Sequence, residues 1–445
     1  MDIKDFQRLV LKKAVEAGFE DCEIYYQSGE SFQAVVNNGE VAHYETSFSS
    51  GAAFRGITGG KLGIAYTERL DEAAADFLVK AASDNAKIAE EGEKCLLYSG
   101  GVYEDIKLYN RELDNVKTSE KVKKILEAEA EALNCKNIRS SDRCMYGDDR
   151  SKVSIMNTKG LDCAYEANSL AAYISVIAER DGDIKTGWEF FAGNDFDNLE
   201  PKKLGAMAAR DAVAMLGAKS VKSGVYSVIF KNTAMASILG AFSGAFTAEQ
   251  VFKGLSMLEG KEDSIIASKA VTIRDDGLLE GGFASAAFDG EGVPCQNKTV
   301  VENGVLKTLL YDLKYADKMG KNSTGNGFRA GFKSPVVCDC TNFYICPSAM
   351  TESEILLQAE NGIYITSVEG LHAGANPVSG DFSLSAEGFL IENGKKTTPI
   401  EQITVASNFF RLLENIKSVG DDLRFNMSGI GSPAVLVEKV SVSGL

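Results

Sequence analysis

The sequence predicts an α+β protein with an N-terminal α/β domain, in which helices pack on an antiparallel meander, and a mainly β C-terminal domain with a few helices. Short alternating runs joined by Asn-Gly and Gly-Gly turns recur along the chain, and such turns supply the positive φ of tight hairpins. Runs with helical apolar spacing lie between them. The glycine-containing segment 217–224 is the expected boundary, which predicts domains at residues 1–220 and 221–445.

In the N-terminal half, apolar residues with helical spacing predict helices, and alternation between turn signals predicts strands. The predicted helices are 3–17, 71–90, 119–133 and 201–216. The predicted strands are 31–36, 41–48, 52–57 and 62–66, followed by a meander over 137–191 with turns at 147–149, 158–160 and 181–183. The stretch 92–111 is expected to be a loop.

The C-terminal half contains more glycine and more strand-like runs. A strand is predicted at 225–230, and two hairpins are predicted about Glu302-Asn303-Gly304 and Glu392-Asn393-Gly394. The helical patterns are 232–258, 353–360 and 407–416. Helices are therefore a minority in this half.

Charge and composition exclude several classes of function. The 445 residues include 47 basic and 63 acidic side chains, which gives a net charge of −16. Such a surface repels nucleic-acid phosphates and anionic lipid. The sequence also contains no run of roughly 20 apolar residues, which is the length needed to span a membrane. The first residues carry charges where a signal peptide would have an apolar core. The sequence has nine cysteines, an odd number that cannot all pair in disulfides within the chain. We therefore expect a cytoplasmic protein with reduced thiols.

The chain has only two histidines, His43 and His372. Most single-chain zinc hydrolases need two or three imidazoles at one site. His43 lies on an alternating run and is interpreted as structural. A cluster of thiols, Cys338-x-Cys340 with Cys346, lacks the second pair of soft ligands that a zinc or iron–sulfur site needs, so a strand is the favoured interpretation.

Three further segments could carry chemistry. His372, Ser379 and Asp381 lie within ten positions, which suggests a catalytic triad, but a ligand-contact or structural loop is favoured because triads are usually assembled from distant segments. Asp289-Gly290-Glu291-Gly292 could bind a cation or serve in acid–base chemistry, and a tight turn with solvated acids is favoured. Gly325-Asn326-Gly327-Phe328-Arg329 lacks the Gly-Lys-Ser/Thr of a phosphate-binding loop.

Several blocks of the sequence resemble the TldD/PmbA family, which is also labelled a modulator of DNA gyrase. Their order along the chain matches the family order, and together with the N-terminal meander they cover nearly the whole chain. The blocks are 288–294, 301–306 with 310–312, 323–326, 370–374, 376–383 and 386–394.

This resemblance implies a family of predicted zinc-dependent proteases with two kinds of subunit. TldD-type chains carry a helical His-Glu-x-x-x-His motif and a further cysteine ligand near the C-terminus, and PmbA-type chains, also called TldE, lack this site. By likeness, Gly240 and Ala245 occupy the two histidine positions and Ala241 the glutamate position, while 426–433 offers no cysteine. The resemblance thus implies no metal, no cofactor and no catalytic residue in this chain.

We therefore expect a PmbA/TldE-like subunit of a cytoplasmic metalloprotease complex that acts on unfolded peptides or peptide precursors. The expected partners are a TldD-like zinc protease subunit, a second copy of the chain, and an extended peptide, but neither nucleic acid nor membrane. The candidate substrate-binding residues are Asn326, Arg329, His372, Ser379 and Asp381. Two alternatives stay open: a homodimeric peptide-binding or scaffolding protein, and a metal-independent hydrolase that uses His372 with Ser379 or a cysteine.

Overall fold

The fold was obtained as a computed structural model, which describes residues 1–89 and 94–445. The helices of these residues are α1 (Ile3–Glu16), α2 (Glu72–Ile88), α3 (Arg111–Asp114), α4 (Thr118–Leu133), α5 (Pro201–Ala214), α6 (Asn232–Phe242), α7 (Ala248–Phe252), α8 (Leu313–Met319), α9 (Glu352–Ala359), α10 (Leu371–Gly374) and α11 (Phe409–Glu414). The strands are β1 (Cys22–Asn37), β2 (Glu40–Thr58), β3 (Lys61–Thr67), β4 (Ile138–Asn157), β5 (Asp162–Arg180), β6 (Asp183–Gly193), β7 (Gly224–Phe230), β8 (Ile273–Asp276), β9 (Asn297–Glu302), β10 (Val305–Leu306), β11 (Gly327–Phe328), β12 (Val337–Cys338), β13 (Asn342–Ile345), β14 (Gly362–Glu369), β15 (Asp381–Glu392), β16 (Lys395–Asn408), β17 (Ile416–Val419), β18 (Arg424–Phe425), β19 (Ile430–Ser432) and β20 (Val435–Ser443).

The N-terminal half is one antiparallel sheet in the order β3-β2-β1-β4-β5-β6. Alternation along the strands gives the sheet two different faces. One face is covered by helices: α1 and α2 pack over β1 to β3, and α4 and α5 pack over β4 to β6. On the other face, Tyr25, Ile155 and Tyr165 pack against Phe288 and Phe332 of the C-terminal half. The central part of the sheet is therefore buried between its own helices and the second half of the chain, whereas the first half of β2 is exposed.

The C-terminal half contains a small closed barrel and a second sheet. The barrel strands run in the order β16-β15-β14-β7-β20, and pairing of β16 with β20 closes the circle. The second sheet runs in the order β10-β9-β8-β13-β19-β18. Helix α6 lies in the core that both share, where Phe242 stacks on Phe409 with ring centroids 4.6 Å apart.

The structure confirms the predicted α+β class and most of the helices and hairpins. The β1–β2 turn uses Asn38 and Gly39 at positive φ, and the hairpins about Asn303 and Asn393 form as expected. The helix predicted at 71–90 corresponds to α2, which ends at Ile88. The last residue of the predicted helix, Glu90, and residues 92 and 93 of the predicted loop lie outside the described residues. The division into domains at residues 220 and 221 stays a prediction.

Two predictions about strands are wrong. A turn was expected at 147–149, but Gly147 lies inside β4, paired with Gln33 of β1 and Ala171 of β5. The runs 41–48 and 52–57 form one continuous strand, β2, because β1 pairs along its whole length. Gly51 lies within this strand. The residue at this position is a glycine because a Cβ there would stand 2.3 Å from the Phe332 ring.

A buried ionic cluster joins the two halves. Glu23 on β1 is fully buried, and its Oε1 atom accepts hydrogen bonds from Arg55 Nε at 2.9 Å and Arg329 Nη2 at 3.2 Å. Arg55 comes from β2 in the N-terminal sheet, whereas Arg329 follows β11 in the C-terminal half. A single buried carboxylate therefore links an arginine of one half to an arginine of the other.

The acids of the Asp289–Gly292 turn are buried, so the prediction of solvated acids is wrong. Asp289 accepts backbone N–H groups from Glu291, Val293 and Gly327 at 2.8 to 3.0 Å. Glu291 accepts the N–H of Leu313 at 2.8 Å. Burial raises the pKa of Asp289 to about 7 and the pKa of Glu291 to about 8, because desolvation outweighs their favourable partners.

We expect Glu291→Gln to flatten the dependence of stability on pH. Between about pH 4.5 and about pH 8 the folded protein keeps a proton on this carboxyl that the unfolded chain has released. The free energy of unfolding of the wild type therefore falls as pH rises through this range, by up to about 1.4 kcal/mol per pH unit for one proton. Urea unfolding at about pH 5, about pH 7 and about pH 9 measures the slope for both proteins.

The matched control is Glu302→Gln, which changes an exposed carboxyl on β9. This control should keep the wild-type slope. An identical slope for wild type and Glu291→Gln would mean that Glu291 is ionised in the folded protein at neutral pH, and would contradict the prediction.

Candidate functional site

The segment that resembles the metal-binding helix is the end of α6 and the turn after it. The α-helix ends at Phe242, and a 3-10 turn covers Ser243–Phe246. The segment 426–433, where a further ligand would be expected, lies against this helix: a Cβ built on Gly240 would stand 3.5 Å from Ile430. The elements of such a site are therefore next to each other in the fold.

The residues present there do not fit a zinc ion. Gly240 and Ala241 carry no donor atom, and Ala245 is a buried methyl group in the apolar core. Zinc sites in proteins need thiolate, imidazole or carboxylate ligands. Within residues 1–89 and 94–445, no group of three or more histidine, cysteine or acidic side chains is arranged to hold a metal ion.

The three clustered cysteines are separated into different environments. Cys338 is buried on β12 and its Sγ donates to the carbonyl of Leu310 at 3.0 Å. Burial raises the pKa of all three thiols, Cys338, Cys340 and Cys346, above the usual value. Because the thiolate is the form that binds metals and attacks carbonyls, these cysteines are poor ligands and poor nucleophiles.

The His372 loop is folded as a hydrogen-bonded turn beside α6. The backbone N–H of Asp381 donates to Ser379 Oγ at 3.2 Å, and Asn408 donates to the Asp381 carboxylate at 3.0 Å. Side-chain hydrogen bonds from Asn408 and then Ser379 to the carboxyl group lower the pKa of Asp381. Across the described chain, no hydrogen bond joins the exposed His372 to Ser379 or Asp381, so the loop does not form a triad.

Asn326 and Arg329 lie elsewhere, close to the ionic cluster between the two halves. Asn326 is fully buried and donates to Asp275 at 2.9 Å and to the carbonyl of Asp339 at 2.8 Å. Arg329 is almost fully buried and lines a separate cavity. The five predicted residues therefore fall in three places, and their role in binding substrate stays a prediction.

A long cleft separates the far end of the N-terminal sheet from the C-terminal half. It consists of two adjoining cavities of about 550 and 640 Å³, and Glu189 and Arg424 line both of them. Arg424 bridges the cleft: it forms a bidentate ion pair with Glu189 and donates to the carbonyl of Phe190 at 3.1 Å. One wall is β6, and the opposite wall includes β18 and the start of α6.

Stacked aromatic rings cover part of the β6 wall. Trp188 lies between Tyr173 and Phe190, with ring centroids 6.4 and 6.1 Å apart. The guanidinium of Arg424 stands over the Phe190 ring at 4.5 Å. Trp188 is 36% exposed in the cleft and is the one tryptophan of the sequence. These rings offer an apolar contact surface that a flat polar cleft would not have.

The two strands that face each other across the cleft are both the last strands of their sheets. β6 ends the N-terminal sheet and β18 ends the second C-terminal sheet. A terminal strand has backbone N–H and C=O groups that no neighbouring strand of the sheet uses. Side chains already occupy part of the β6 edge, because the N–H of Phe190 donates to Glu189 and its carbonyl accepts from Arg424. Since β18 has two residues, the edge left for backbone hydrogen bonding by an extended chain is mainly the remainder of β6.

The sequence analysis missed this cleft. Its walls come from residues about 40 to 240 positions apart, and no local motif marks their contact. One signal was available: Trp188-Glu189-Phe190-Phe191 is an aromatic-rich end of the predicted meander. Among the described residues, no helix is both long enough and apolar enough to cross a bilayer.

Comparison with known protein families matches three consecutive stretches of the chain. Residues 22–86 match PmbA/TldA metallopeptidase domain 1, 111–216 match the central domain, and 223–444 match the C-terminal domain. Similar proteins include a metalloprotease of Methanocaldococcus jannaschii, 26% identical over 95% of this chain and 94% of that protein. A metalloprotease PmbA homolog of Haemophilus influenzae is 28% identical over 87% of this chain and 84% of that protein.

Solved structures agree with this assignment. A candidate modulator of DNA gyrase from Thermotoga maritima has a TM-score of 0.93 and 31% identity, and the match covers 99% of this chain and 100% of that one. TldE from Thermococcus kodakarensis shares the fold, with a TM-score of 0.92 at 23% identity over 99% of this chain and 100% of that one. From the three matched domains and the full-length likeness to the Thermotoga maritima protein, this chain belongs to the PmbA/TldD metallopeptidase family.

Proposed function

We propose that this chain is a PmbA/TldE-like, non-catalytic subunit of a cytoplasmic metalloprotease complex that degrades unfolded peptides or peptide precursors. Its role is to hold an extended peptide and to pair with a TldD-like subunit that carries the zinc. One observation carries this proposal: the fold keeps α6 beside β19, but Gly240, Ala241 and Ala245 supply no donor atom there. A helix without ligands cannot lower the pKa of a bound water.

The cleft supports the peptide-binding part of the proposal. Extended peptides bind proteins by adding a strand to an open sheet edge, where main-chain hydrogen bonds give affinity and side-chain pockets give specificity. The edges of β6 and β18 face this cleft, and the stacked rings of Tyr173, Trp188 and Phe190 can contact an apolar side chain. Recognition of backbone instead of sequence suits a subunit that handles unfolded chains.

The described residues give little support to a catalytic site in this chain, which favours a role that needs a partner. The alternative is a hydrolase built on His372 with Ser379 or a cysteine. No hydrogen bond joins His372 to Ser379 within the described residues, and burial raises the pKa of the Cys338 and Cys340 thiols, which favours their protonated form. A homodimer without a protease partner is the competing form of the proposal. The two forms differ in what the chain assembles with, and both use the same cleft.

We expect the purified protein to contain no stoichiometric zinc, because the motif positions lack ligands and the two histidines lie far apart in the sequence. Elemental analysis of protein purified without added metal measures this. About one zinc per chain, lost in the Cys338→Ser/Cys340→Ser double variant, would contradict the prediction and locate the metal at the thiols.

We expect a tryptophan-free, unstructured peptide to change the fluorescence of Trp188, because this side chain lies on the cleft wall. Titration of the peptide, followed by tryptophan emission, gives the dissociation constant. A peptide of the same sequence with N-methyl groups on alternate residues should bind about tenfold more weakly or worse, because it has lost the N–H donors of one edge.

Phe190→Ala should weaken peptide binding about threefold or more by removing an aromatic contact in the cleft. Its matched control is Phe252→Ala, a half-exposed aromatic on α7 that does not line the cleft. Equal affinity for the N-methylated and unmodified peptides would refute binding by strand addition.

A further inference from the structure

A second cavity, separate from the cleft, lies where strands β2 and β3 meet the segment 329–336 of the C-terminal half. Its volume is about 620 Å³. Apolar side chains form much of its wall, among them Ile64, Tyr66, Phe332 and Val336. Ile64 and Tyr66 are 50% and 51% exposed, so the wall leaves large apolar groups in contact with solvent.

Two arginines of the ionic cluster also line this cavity. Both arginines donate to the same Glu23 oxygen. Arg329 Nε also donates to the carbonyl of Gly290 at 3.0 Å. Arg55 Nη2 also donates to the carbonyl of Leu96 at 3.4 Å. The Nη1 atoms of both have no hydrogen-bond acceptor in the described part of the chain. Arg55 Nη1 also lies 3.8 Å from Glu291 Oε1, which is within ion-pair distance.

Arg329 is the less compensated of the two guanidinium groups. Both share one oxygen of Glu23. Burial and then the charge of Arg55 lower the pKa of Arg329, whereas Glu23 and Glu291 raise the pKa of Arg55 against the effect of burial. A planar guanidinium with free N–H groups is the preferred protein partner of carboxylate and phosphate oxygens.

The rest of the described lining carries both signs of charge. It contains four basic side chains, Lys94, Lys314, Lys318 and Lys333, and three acidic ones, Glu291, Asp312 and Asp317. Ion pairs hold several of these groups, such as Lys94 with Asp317 at 2.7 Å and Lys333 with Glu68 at 2.6 Å. In a chain with a net charge of −16, the two buried arginines therefore supply the local positive charge that would attract an anion.

We propose that this cavity binds a small amphipathic anion, with a carboxylate or phosphate head on Arg55 and Arg329 and an apolar stem against Ile64, Phe332 and Val336. The oxygens of the head accept hydrogen bonds from the Nη1 groups of the two arginines, and the stem covers the exposed apolar side chains of the wall. The site is independent of the peptide cleft and of the metalloprotease role.

Isothermal titration of the full-length protein with octanoate, octyl phosphate and octanamide tests this proposal. The three probes share one apolar stem and differ in the head. We expect saturable binding of one anionic probe per chain, at least about tenfold tighter than binding of octanamide. The tighter of octanoate and octyl phosphate identifies the head group. Equal affinity for octanamide, or no binding of either anion, would overturn the proposal.

Ile64→Glu places a competing carboxylate inside the cavity, because Ile64 is the cross-strand partner of Arg55. Its half-exposed position allows the protein to fold. We expect octanoate binding to weaken about tenfold or more in this variant and in Arg55→Gln. The control Ile184→Glu changes an equally exposed isoleucine outside the cavity and should bind as the wild type does. Unchanged binding in Ile64→Glu would refute the assigned position.

Discussion

The geometry of this protein depends on one buried carboxylate, Glu23, which bonds an arginine from each half of the chain. Removing one partner of a buried ion pair typically lowers the free energy of unfolding by about 3–5 kcal/mol, whereas replacing the whole pair with well-packed apolar side chains can be neutral. Such a cluster therefore specifies an arrangement more than it adds stability. The second carboxylate oxygen, Glu23 Oε2, has no hydrogen-bond partner within the described residues, which adds to the cost of burying the group. The contact of Phe288 and Phe332 with the sheet surrounds this cluster with apolar surface. Both the cleft and the arginine-lined cavity are spaces left between the halves that Glu23 holds together.

Local chemistry explains which parts of the fold could be predicted. Asn38 and Gly39, or Asn393 and Gly394, determine a turn within two residues, and the helical spacing of α1 and α4 needs no distant partner. Gly147 looked like a turn because glycine and two aspartates stand together, yet strands on both sides of it hold it in β4. The acids of 289–291 looked solvated because some of the backbone N–H groups that bond them come from elements distant in sequence, Gly327 of β11 and Leu313 of α8. The cleft could not be predicted for the same reason, since β6 and β18 meet only in the tertiary structure.

This chain keeps the family fold, while the positions that resemble the metal-binding motif, Gly240, Ala241 and Ala245, carry no ligand atom. The three domains of a PmbA/TldA metallopeptidase are matched, and α6 keeps its place beside β19 in the core. The side chains at that place are small and apolar, so selection for packing can maintain them without selection for a metal. In the proposed role the chain contributes through binding, because the cleft between β6 and β18 presents terminal strands and stacked aromatic rings. In the proposed complex the peptide is held here and cut at the metal of the partner.

Hydrolysis of casein by the purified chain, alone and with a TldD-like partner subunit, in the presence and absence of a metal chelator, tests the central claim most directly. The account predicts no turnover above background by the chain alone. It also predicts turnover when the partner is added, which the chelator abolishes because the partner holds the metal. Turnover by the chain alone that resists the chelator and is lost in His372→Ala would contradict the account.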